Sequence, residues 1–515
     1  MKKLLAYVQV LVLPFLLSCS EDDGNYDYRA INDVTISGIE ESYTALNGTD
    51  KLEISPVITT AFNDDSRLTY EWKVQRDNTP YSSYRAVLGT EKNLSWEVQV
   101  PYTGEWVLML RVTDTETGVV TLASTKVNVT TRTGNGILVI GENLEGKSQV
   151  DFISIAGDTL VMKNVLNEGT GFNNNGKPVN ICKPGRLMSI FASLLANIWV
   201  MTDEDAWRVN LNDFSIMAGS SFRDNTYVID DSQITGDFHL VDFYPHLRKV
   251  SNGTSLSFDN IAISSNGLLF IGSTGFVDPI NVLSDEKGIS FAKPYVLSCD
   301  GYGSVSNFVF YDETHERFLQ GNMYSTYSTR LTDNEGDAFP WNNQAVGRTL
   351  QFAQNSTNTD EGSTYGNSFA LMRDKTTNEY YVYKFYVSPG AVTKINCYKP
   401  GKVATDLDKA SFHVFSSKRT ALYYTVGSKL YGLDYNKGNE KVTLIRDFGD
   451  EITMMRWDDI IEPEGDFIYL ATYNPTTGGT LVKLKQGTNP DKLELEEVPG
   501  SKWTGLSKVK GMTWK

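Results

Sequence analysis

The feature that most constrains this chain is an alternation of apolar and polar residues with a period of two, which recurs between residues 68 and 129. Leu68–Val74 and Trp106–Val112 show it most clearly, and turn-forming residues bound each run. Such an alternation buries one face of a β-strand. No long stretch keeps the 3.6-residue period of an amphipathic helix, so the sequence predicts an all-β fold and disfavours α/β enzymes and helical solenoids.

Residues 31–132 predict the first folded domain. Runs rich in β-branched and aromatic residues are separated by turn signals such as Asn47-Gly48, and Trp72 stands in a central run. About seven strands in about 100 residues is the pattern of an immunoglobulin-like β-sandwich. Residues 133–136 (Thr-Gly-Asn-Gly) are predicted to form a linker.

Residues 136–515 repeat a structural pattern without repeating a sequence. An apolar strand such as Asn197–Thr202 is followed by a turn and a second strand such as Ala206–Val209. The pattern returns at roughly the spacing of four-stranded propeller blades, so we expect a β-propeller of about seven blades. Lys508–Lys515 is expected to supply a closing strand. No blade consensus is present, so the blade number rests on the chain length.

The N-terminus predicts export and a lipid anchor. Lys2 and Lys3 precede the apolar run Leu4–Leu17, which ends at Cys19 in a lipobox. The run is too short for a spanning helix of about 20 residues, so it reads as a cleaved signal peptide, 1–18. Cys19 would then carry a diacylglycerol and a further acyl chain, which suffices for stable anchoring. An ordinary signal peptide is the alternative.

Residues 19–30 predict a lipidated, acidic tether. The sequence after Cys19 is Ser-Glu-Asp-Asp, and it lacks aliphatic residues. It resembles the signal that sends Bacteroidetes lipoproteins to the outer face of the outer membrane, and this implies a lipid-anchored protein facing the extracellular side. A hydrophilic spacer without an address is the alternative.

The net charge and the cysteines indicate which partners and which covalent links to expect. The formal net charge of −16 disfavours nucleic acid as a partner. Apart from Cys19, the cysteines are Cys182, Cys299 and Cys397, an odd number without a disulfide spacing, so we expect packed thiols. We expect the membrane to be contacted through the lipid anchor only.

No motif predicts catalysis. Gly141–Ser148 fits the phosphate-binding pattern G-x-x-x-x-G-K-S, but β-like residues follow it where a helix is required, so we expect a hairpin turn. There is no G-x-S-x-G nucleophile motif. The sequence therefore predicts no catalytic residue, no metal and no cofactor.

The histidines leave catalysis open as an alternative. They are His239, His246, His315 and His413, and they lack metal-ligand spacing. Asp237, His239 and His246 lie in one predicted loop region and could serve catalysis, but structural roles are more common for such histidines.

The acidic residues leave two further alternatives open, a glycosidase and a calcium site. A glycosidase needs only two suitably spaced carboxylates, and the 63 acidic residues of this chain offer many pairs. Asp333–Asp337 is dense in oxygen ligands for calcium, but it lacks the EF-hand spacing, so we expect a solvated loop.

The predicted ligand-binding residues lie in one polar segment, Met323–Ser363. It carries Tyr324, Tyr327 and Trp341 among Asn, Thr, Ser and Gly residues. Long polar loops with aromatic residues often bind ligands, because aromatic faces stack on sugars or peptide side chains. Packing of these rings onto the blades is the alternative. Gly171–Val179 is a second such loop.

Several motifs resemble one family. Tyr70–Trp72 and Leu110–Asp114 resemble the Y-x-W and L-x-V-x-D signatures of polycystic-kidney-disease (PKD) type domains. With Asn25–Tyr28, Ile31–Val34 and Gly136–Val139, the chain looks like the PKD-like family lipoproteins of Bacteroidetes. The resemblance implies an accessory role in nutrient capture beside SusC/SusD-type TonB-dependent importers, and it supplies no catalytic residue.

The sequence therefore favours a surface-exposed outer-membrane lipoprotein that binds a nutrient, either glycan or peptide, as an accessory component of a SusC/SusD-type importer. Two other functions stay open: a propeller hydrolase acting on glycans, and a structural subunit of the importer that binds no ligand.

Overall fold

The computed structural model describes twelve stretches of the chain: residues 31–77, 83–155, 159–166, 176–184, 198–234, 236–247, 260–272, 275–298, 306–362, 366–388, 390–489 and 492–515. They form two compact units that divide between Thr130 and Thr131. The regular structure of these stretches is β-strand and short 3₁₀ helix, so the predicted all-β class is confirmed. None of the described helices has the length and apolar character to cross a membrane.

The described part of the first unit contains nine strands. They are β1 Val34–Ser37, β2 Ser42–Leu46, β3 Lys51–Ile54, β4 Val57–Thr60, β5 Leu68–Asp77, β6 Ser83–Gly89, β7 Leu94–Glu97, β8 Gly104–Asp114 and β9 Val120–Thr130. Five of them form a sheet in the order β2-β9-β8-β5-β6, in which only β2 and β9 pair in parallel. The pairs β1-β4 and β3-β7 form two small antiparallel sheets.

The core of the first unit lies between the five-stranded sheet and the two small sheets. Trp72 and Trp106 are at most 1% exposed, and they share one apolar cluster with Ile54 and Ile58 of the small sheets. Strand β8 alternates buried and less buried residues along its length, as the period of two predicts. The observed arrangement is a β-sandwich.

The aspartate of the L-x-V-x-D motif has a structural role. The carboxylate of Asp114 is buried and accepts hydrogen bonds from Asn32 Nδ2 (3.1 Å), Arg67 Nη2 (3.2 Å) and the backbone N–H groups of Glu116 and Thr117. The Thr117 N–H and these other donors hold the pKa of Asp114 well below its usual range. The motif therefore fixes the turn after β8 to the start of the unit.

The second unit contains twenty-nine described strands. They are β10 Gly136–Glu142, β11 Ser148–Ser154, β12 Leu160–Met162, β13 Pro178–Cys182, β14 Ile198–Thr202, β15 Ala206–Val209, β16 Thr226–Tyr227, β17 Leu240–Tyr244, β18 Ile261–Ser264, β19 Leu269–Ile271, β20 Phe276–Val277, β21 Val282–Leu283, β22 Gly288–Ile289, β23 Asn307–Asp312, β24 Arg317–Asn322, β25 Tyr327–Arg330, β26 Arg348–Asn355, β27 Ser368–Asp374, β28 Tyr380–Ser388, β29 Ala391–Gly401, β30 Phe412–Phe415, β31 Ala421–Val426, β32 Lys429–Asp434, β33 Lys441–Asp447, β34 Glu451–Trp457, β35 Ile468–Asn474, β36 Gly478–Gln486, β37 Leu495–Leu506 and β38 Lys508–Trp514. The 3₁₀ helices are Arg223–Asn225, Asp231–Ile234, Asp360–Gly362, Leu407–Lys409 and Pro463–Gly465.

These strands form seven successive sheets of three to five strands, plus the parallel pair β16-β20. The sheets are sheet 1 (β12-β11-β10-β38), sheet 2 (β13-β14-β15), sheet 3 (β17-β18-β19), sheet 4 (β22-β21-β25-β24-β23), sheet 5 (β26-β27-β28-β29), sheet 6 (β30-β31-β32-β33) and sheet 7 (β34-β35-β36-β37). Neighbouring strands are antiparallel except β21 and β25.

Each sheet shares an apolar cluster with the sheet before it and the sheet after it. Six clusters join consecutive sheets from sheet 1 to sheet 7. A seventh joins sheet 7 to sheet 1, where Met454 and Tyr469 pack with Val139 and Val509. The packing order of the seven sheets is therefore cyclic.

Strand β38 completes sheet 1 and confirms the expected closing strand. It pairs antiparallel with β10, so that Ile137 lies opposite Trp514. The carboxylate of Asp151 in β11 accepts a hydrogen bond from the Ser507 N–H at 2.8 Å. A side chain at Gly141 would collide with Ser507 and with the Lys508 backbone. Gly141 is therefore required by the close approach of β38, and β10 and β11 form the predicted hairpin.

One prediction about loops was wrong. Met323–Ser363 is not a single long loop, because it contains β25 and β26. The Asp333 and Asp337 carboxylates in this segment each lie 2.5 Å from Lys394 Nζ. One ammonium group is shared by the two carboxylates and offsets one of their two charges, so ion pairing accounts for part of this acidic stretch.

Candidate functional site

The structure places the predicted ligand-binding residues in different environments. Trp341 is only 3% exposed, and its ring packs edge-on against the rings of Phe318, Phe339 and Phe385 with centroids 5.0–5.7 Å apart. A buried ring cannot present its face to a ligand, so the expected exposed stacking role of Trp341 is corrected. The large apolar area of an indole ring explains why this residue packs inward.

The other predicted residues are accessible or lie outside the described part of the chain. Tyr324 and Tyr327 are 76% and 54% exposed. Their contact with a ligand stays a prediction. Cys19 and the acidic tether fall outside the described residues, as do most of the loop at 171–179 and Cys299.

The second unit contains a cavity of about 420 Å³ to which all seven sheets, or the segments bridged to them, contribute; we call it the shared cavity. Its lining includes Asn180 of β13, Asp242 of β17, Tyr295 beside β23, Phe352 of β26, His413 of β30, Arg456 of β34 and Lys510 of β38. This volume falls within the range of small-molecule pockets, and most of the lining is apolar or aromatic.

A charged cluster lies at one part of the shared cavity. His246 Nε2 is 2.8 Å from Asp242 Oδ1, and His246 Nδ1 is 2.9 Å from Asp459 Oδ2. Arg456 Nη2 donates to the other oxygen of Asp459 at 2.7 Å. His246 follows β17 and Asp459 follows β34, so this cluster links two parts of the chain that are 213 positions apart.

The cluster balances its own charge. Burial opposes a charge on His246, but the Asp242 and Asp459 carboxylates outweigh it and raise the pKa of His246 well above its usual value. Burial likewise opposes ionisation of Asp459, but Arg456 and His246 lower the pKa of Asp459 below its usual range. Both ring nitrogens of His246 therefore donate, and this ring lacks the lone pair that a general base needs.

Cys182 lies beside this histidine but is not a nucleophile in this arrangement. Ligand atoms of Cys182, Asp242 and His246 all lie within 4.8 Å of one another, and Asp459 orients the imidazole as in a thiol triad. However, the Cys182 side chain is 0% exposed, and burial raises the pKa of its thiol to about 11. A buried, protonated thiol is unreactive.

The remaining histidines do not join this cluster. His239 Nδ1 lies 2.6 Å from the backbone oxygen of Asp237, so the loop grouping considered from sequence does not bring a carboxylate to His239. His413 stacks on Phe352 with ring centroids 5.3 Å apart, and burial lowers the pKa of His413 to about 4. His413 is therefore a neutral ring in the wall of the shared cavity. His315 pairs with Asp312 at 2.9 Å.

A second, larger cavity of about 750 Å³ lies between sheets 5 and 6, and we call it the polar cleft. Its lining is mostly polar: Asn358, Asp360, Glu361, Lys384, Lys418, Arg419, Thr420, Asp434, Asn436, Asn439 and Lys441 line it together with Phe369, Tyr398, Tyr435 and Leu493. Amides and charges of both signs therefore line the cleft around the half-buried Tyr398 ring.

Lys384 is the unusual residue of the polar cleft. Its side chain is only 4% exposed, and its Nζ lies 2.9 Å from Glu361 Oε2 and 5.9 Å from the centroid of the Phe369 ring. An ammonium group has three N–H donors, and this carboxylate takes one. Lys384 lines the polar cleft, and the one ion pair described for it is with Glu361.

Glu361, the ion-pair partner of Lys384, has an uncommon backbone conformation. Its φ of 61° and ψ of 37° lie in the left-handed region, which costs free energy for a residue with a side chain. Neighbouring contacts fix the segment, because Asn358 Nδ2 donates to Asp360 Oδ2 at 2.9 Å and to Ser417 O at 3.1 Å. The Glu361 carboxylate is 44% exposed at the cleft.

Sequence reasoning missed both sites. Lys384 comes from a strand and Glu361 from a 3₁₀ helix, and no motif links them. One signal was available, since Lys384 interrupts the apolar and aromatic run Tyr380–Phe385, where a buried charge needs a partner. The cluster around His246 carried no such signal.

Residues 19–178 match the family model described as PKD-like family. This is less than a third of the chain, and it covers the first unit and the first strands of the second. The PKD-like domain is thereby supported. No curated protein matches the chain.

Several solved structures resemble the chain at low similarity. A quinonprotein alcohol dehydrogenase-like protein from Bacteroides thetaiotaomicron is 11% identical with a TM-score of 0.35, over 90% of this chain and 95% of the other. A putative 6-phosphogluconolactonase from Bacteroides uniformis is 10% identical with a TM-score of 0.40, over 74% of this chain and 99% of the other. The extracellular domain of a putative one component system from B. thetaiotaomicron is 11% identical with a TM-score of 0.34, over 90% and 56%. These likenesses are too weak to bear on activity.

The burial of Cys182 generates a test of the thiol triad. We expect iodoacetamide at pH 8 to leave Cys182 unmodified in the folded protein and to modify it fully in urea, because burial suppresses both access and ionisation. Peptide mass spectrometry reads out the modification. Rapid modification of Cys182 in the folded state would contradict the structural role given to this thiol.

Proposed function

We propose that this chain is a surface-exposed outer-membrane lipoprotein that captures a glycan, without cleaving it, for a SusC/SusD-type importer. The observation that carries the proposal is the polar cleft, in which the buried Lys384 ammonium and the Glu361 carboxylate lie side by side. The lipobox at Cys19 and the acidic residues after it support the surface location.

The proposal assigns the second unit to the β-propeller architecture with seven blades. Seven sheets with a cyclic packing order, a strand shared between the two ends of the unit, and one cavity lined from all seven support this assignment. The polar cleft then lies between two adjacent blades, sheets 5 and 6.

The chemistry of the polar cleft favours a sugar over a peptide side chain. Neighbouring hydroxyl groups of a sugar both donate and accept, so a lysine and a glutamate placed 2.9 Å apart can bind two of them at once. Tyr398 lines the cleft as a half-buried ring and offers an aromatic face for the apolar side of a sugar, whereas Phe369 and Tyr435 are buried. Tyr435 packs against Tyr398 with ring centroids 5.0 Å apart and holds that ring in place.

Capture without cleavage is supported by the state of two candidate groups. The one described histidine between two carboxylates, His246, donates from both nitrogens, and the Cys182 thiol beside it is buried. Asp360 and Asp434 line the polar cleft together with Glu361, so the binding experiment must also look for cleaved sugar.

Substitution of Lys384 tests the glycan proposal. We expect Lys384→Met to weaken glycan affinity roughly tenfold or more, because hydrogen bonds to charged groups contribute about 1.5–3 kcal/mol each. An array of plant and animal oligosaccharides identifies the binding sugar, and isothermal titration calorimetry measures its affinity for both proteins.

The matched control is Lys483→Met. Lys483 is 6% exposed and pairs with Asp458 and Glu462, but it lies outside the polar cleft, so this variant should bind sugar like the unmodified chain. Equal losses in both variants, or no sugar retained by the unmodified chain, would overturn the proposal. Shortened products would indicate a hydrolase, and retention of peptides alone would indicate a peptide receptor.

The location and partner need a separate test on the native protein. We expect mass spectrometry of its N-terminus to show a diacylglycerol and an acyl chain on Cys19, because two attachments are needed for stable anchoring. A pull-down from outer membranes should recover a TonB-dependent importer, and Cys19→Ser is the matched control that should recover none. An unmodified Cys19 thiol, or no importer in the pull-down, would contradict this part of the proposal.

A further inference from the structure

We propose that Cys182, Asp242 and His246 form a binding site for a divalent transition-metal ion, of which zinc is the best match, at the edge of the shared cavity. Their ligand atoms lie within 4.8 Å of one another, and no other group of this kind occurs in the twelve described stretches. A thiolate, an imidazole and a carboxylate are the three donor types that zinc accepts in proteins.

The surroundings of His246 match those of a metal-bound histidine. Its Nδ1 is held by the Asp459 carboxylate at 2.9 Å, and Arg456 fixes that carboxylate in turn at 2.7 Å. A carboxylate on one ring nitrogen leaves the other nitrogen, here Nε2, as the metal ligand and fixes the orientation of the ring. Asp459 is therefore a positioning residue of the site.

For a metal ion to bind, one hydrogen bond between two of the ligands must lengthen. Ligand atoms around a tetrahedral zinc ion lie roughly 3.3–3.8 Å apart. The 2.8 Å contact between His246 Nε2 and Asp242 Oδ1 must therefore widen by roughly half an ångström. Asp242 is 32% exposed and lines the shared cavity, so it has room to move and the ion has a path.

Metal binding releases protons from its ligands. The Cys182 thiol must lose its proton to the solvent in order to bind the ion, and His246 Nε2 must present a lone pair to it. The pairing between Asp459 and Arg456 is unchanged. Three protein ligands leave a fourth position for a water molecule or a ligand from the shared cavity.

The site is tested on the complete chain, purified without a histidine tag and stripped of metal. Titration with zinc chloride in a calorimeter should show one equivalent bound, and buffers of different ionisation enthalpy should show proton release. Cobalt(II) should give the ultraviolet charge-transfer band of a thiolate ligand. Asp459→Asn should weaken zinc binding roughly 10–100-fold.

Variants separate the site from adventitious binding. Cys182→Ser should remove the cobalt band, and Asp242→Asn should weaken zinc binding; a thermal melt of each variant shows that it is folded. Cys397→Ser is the matched control and should change neither. The proposal is overturned if the unmodified chain binds no stoichiometric zinc, or if Cys182→Ser and Asp242→Asn bind it equally well.

Discussion

The structure of the second unit depends on burial of both faces of every sheet. Each of the seven sheets packs on the next through an apolar cluster, and the last of these clusters joins sheet 7 to sheet 1. Strand β38 makes this closure possible, because it adds to sheet 1 and pairs with β10. Without that pairing β10 would present unpaired backbone groups, and both end sheets would expose an apolar face.

Both candidate sites follow from this packing. Polar and charged side chains occur where the faces of neighbouring sheets separate, and each buried charge there has a partner. Lys384 pairs with Glu361 between sheets 5 and 6, and His246 pairs with Asp242 and Asp459 across sheets 3 and 7. Apolar contacts set the distances between sheets, so the geometry of these pairs is determined by residues that contact no ligand.

The sequence predicts the parts of the fold that depend on local pattern. The alternation in β5 and β8, the hairpin at Gly141 and the closing strand are all present, because strand period and turn chemistry are local properties. Trp341 shows where local reasoning fails. An aromatic residue in a polar segment can stack on a ligand or pack inward, and the choice depends on which strands pack over it in the fold. Lys384 has no partner nearby in sequence, and although Asp242 lies four residues before His246, the second carboxylate on that ring, Asp459, lies 213 positions away.

The most direct test of the account is a crystal structure of the complete chain with the oligosaccharide that it binds most tightly. We expect a sugar ring against Tyr398 in the polar cleft, with hydroxyl groups within hydrogen-bonding distance of Lys384 Nζ and the Glu361 carboxylate. A sugar bound elsewhere on the chain, or an empty polar cleft at a saturating concentration of the oligosaccharide, would contradict it.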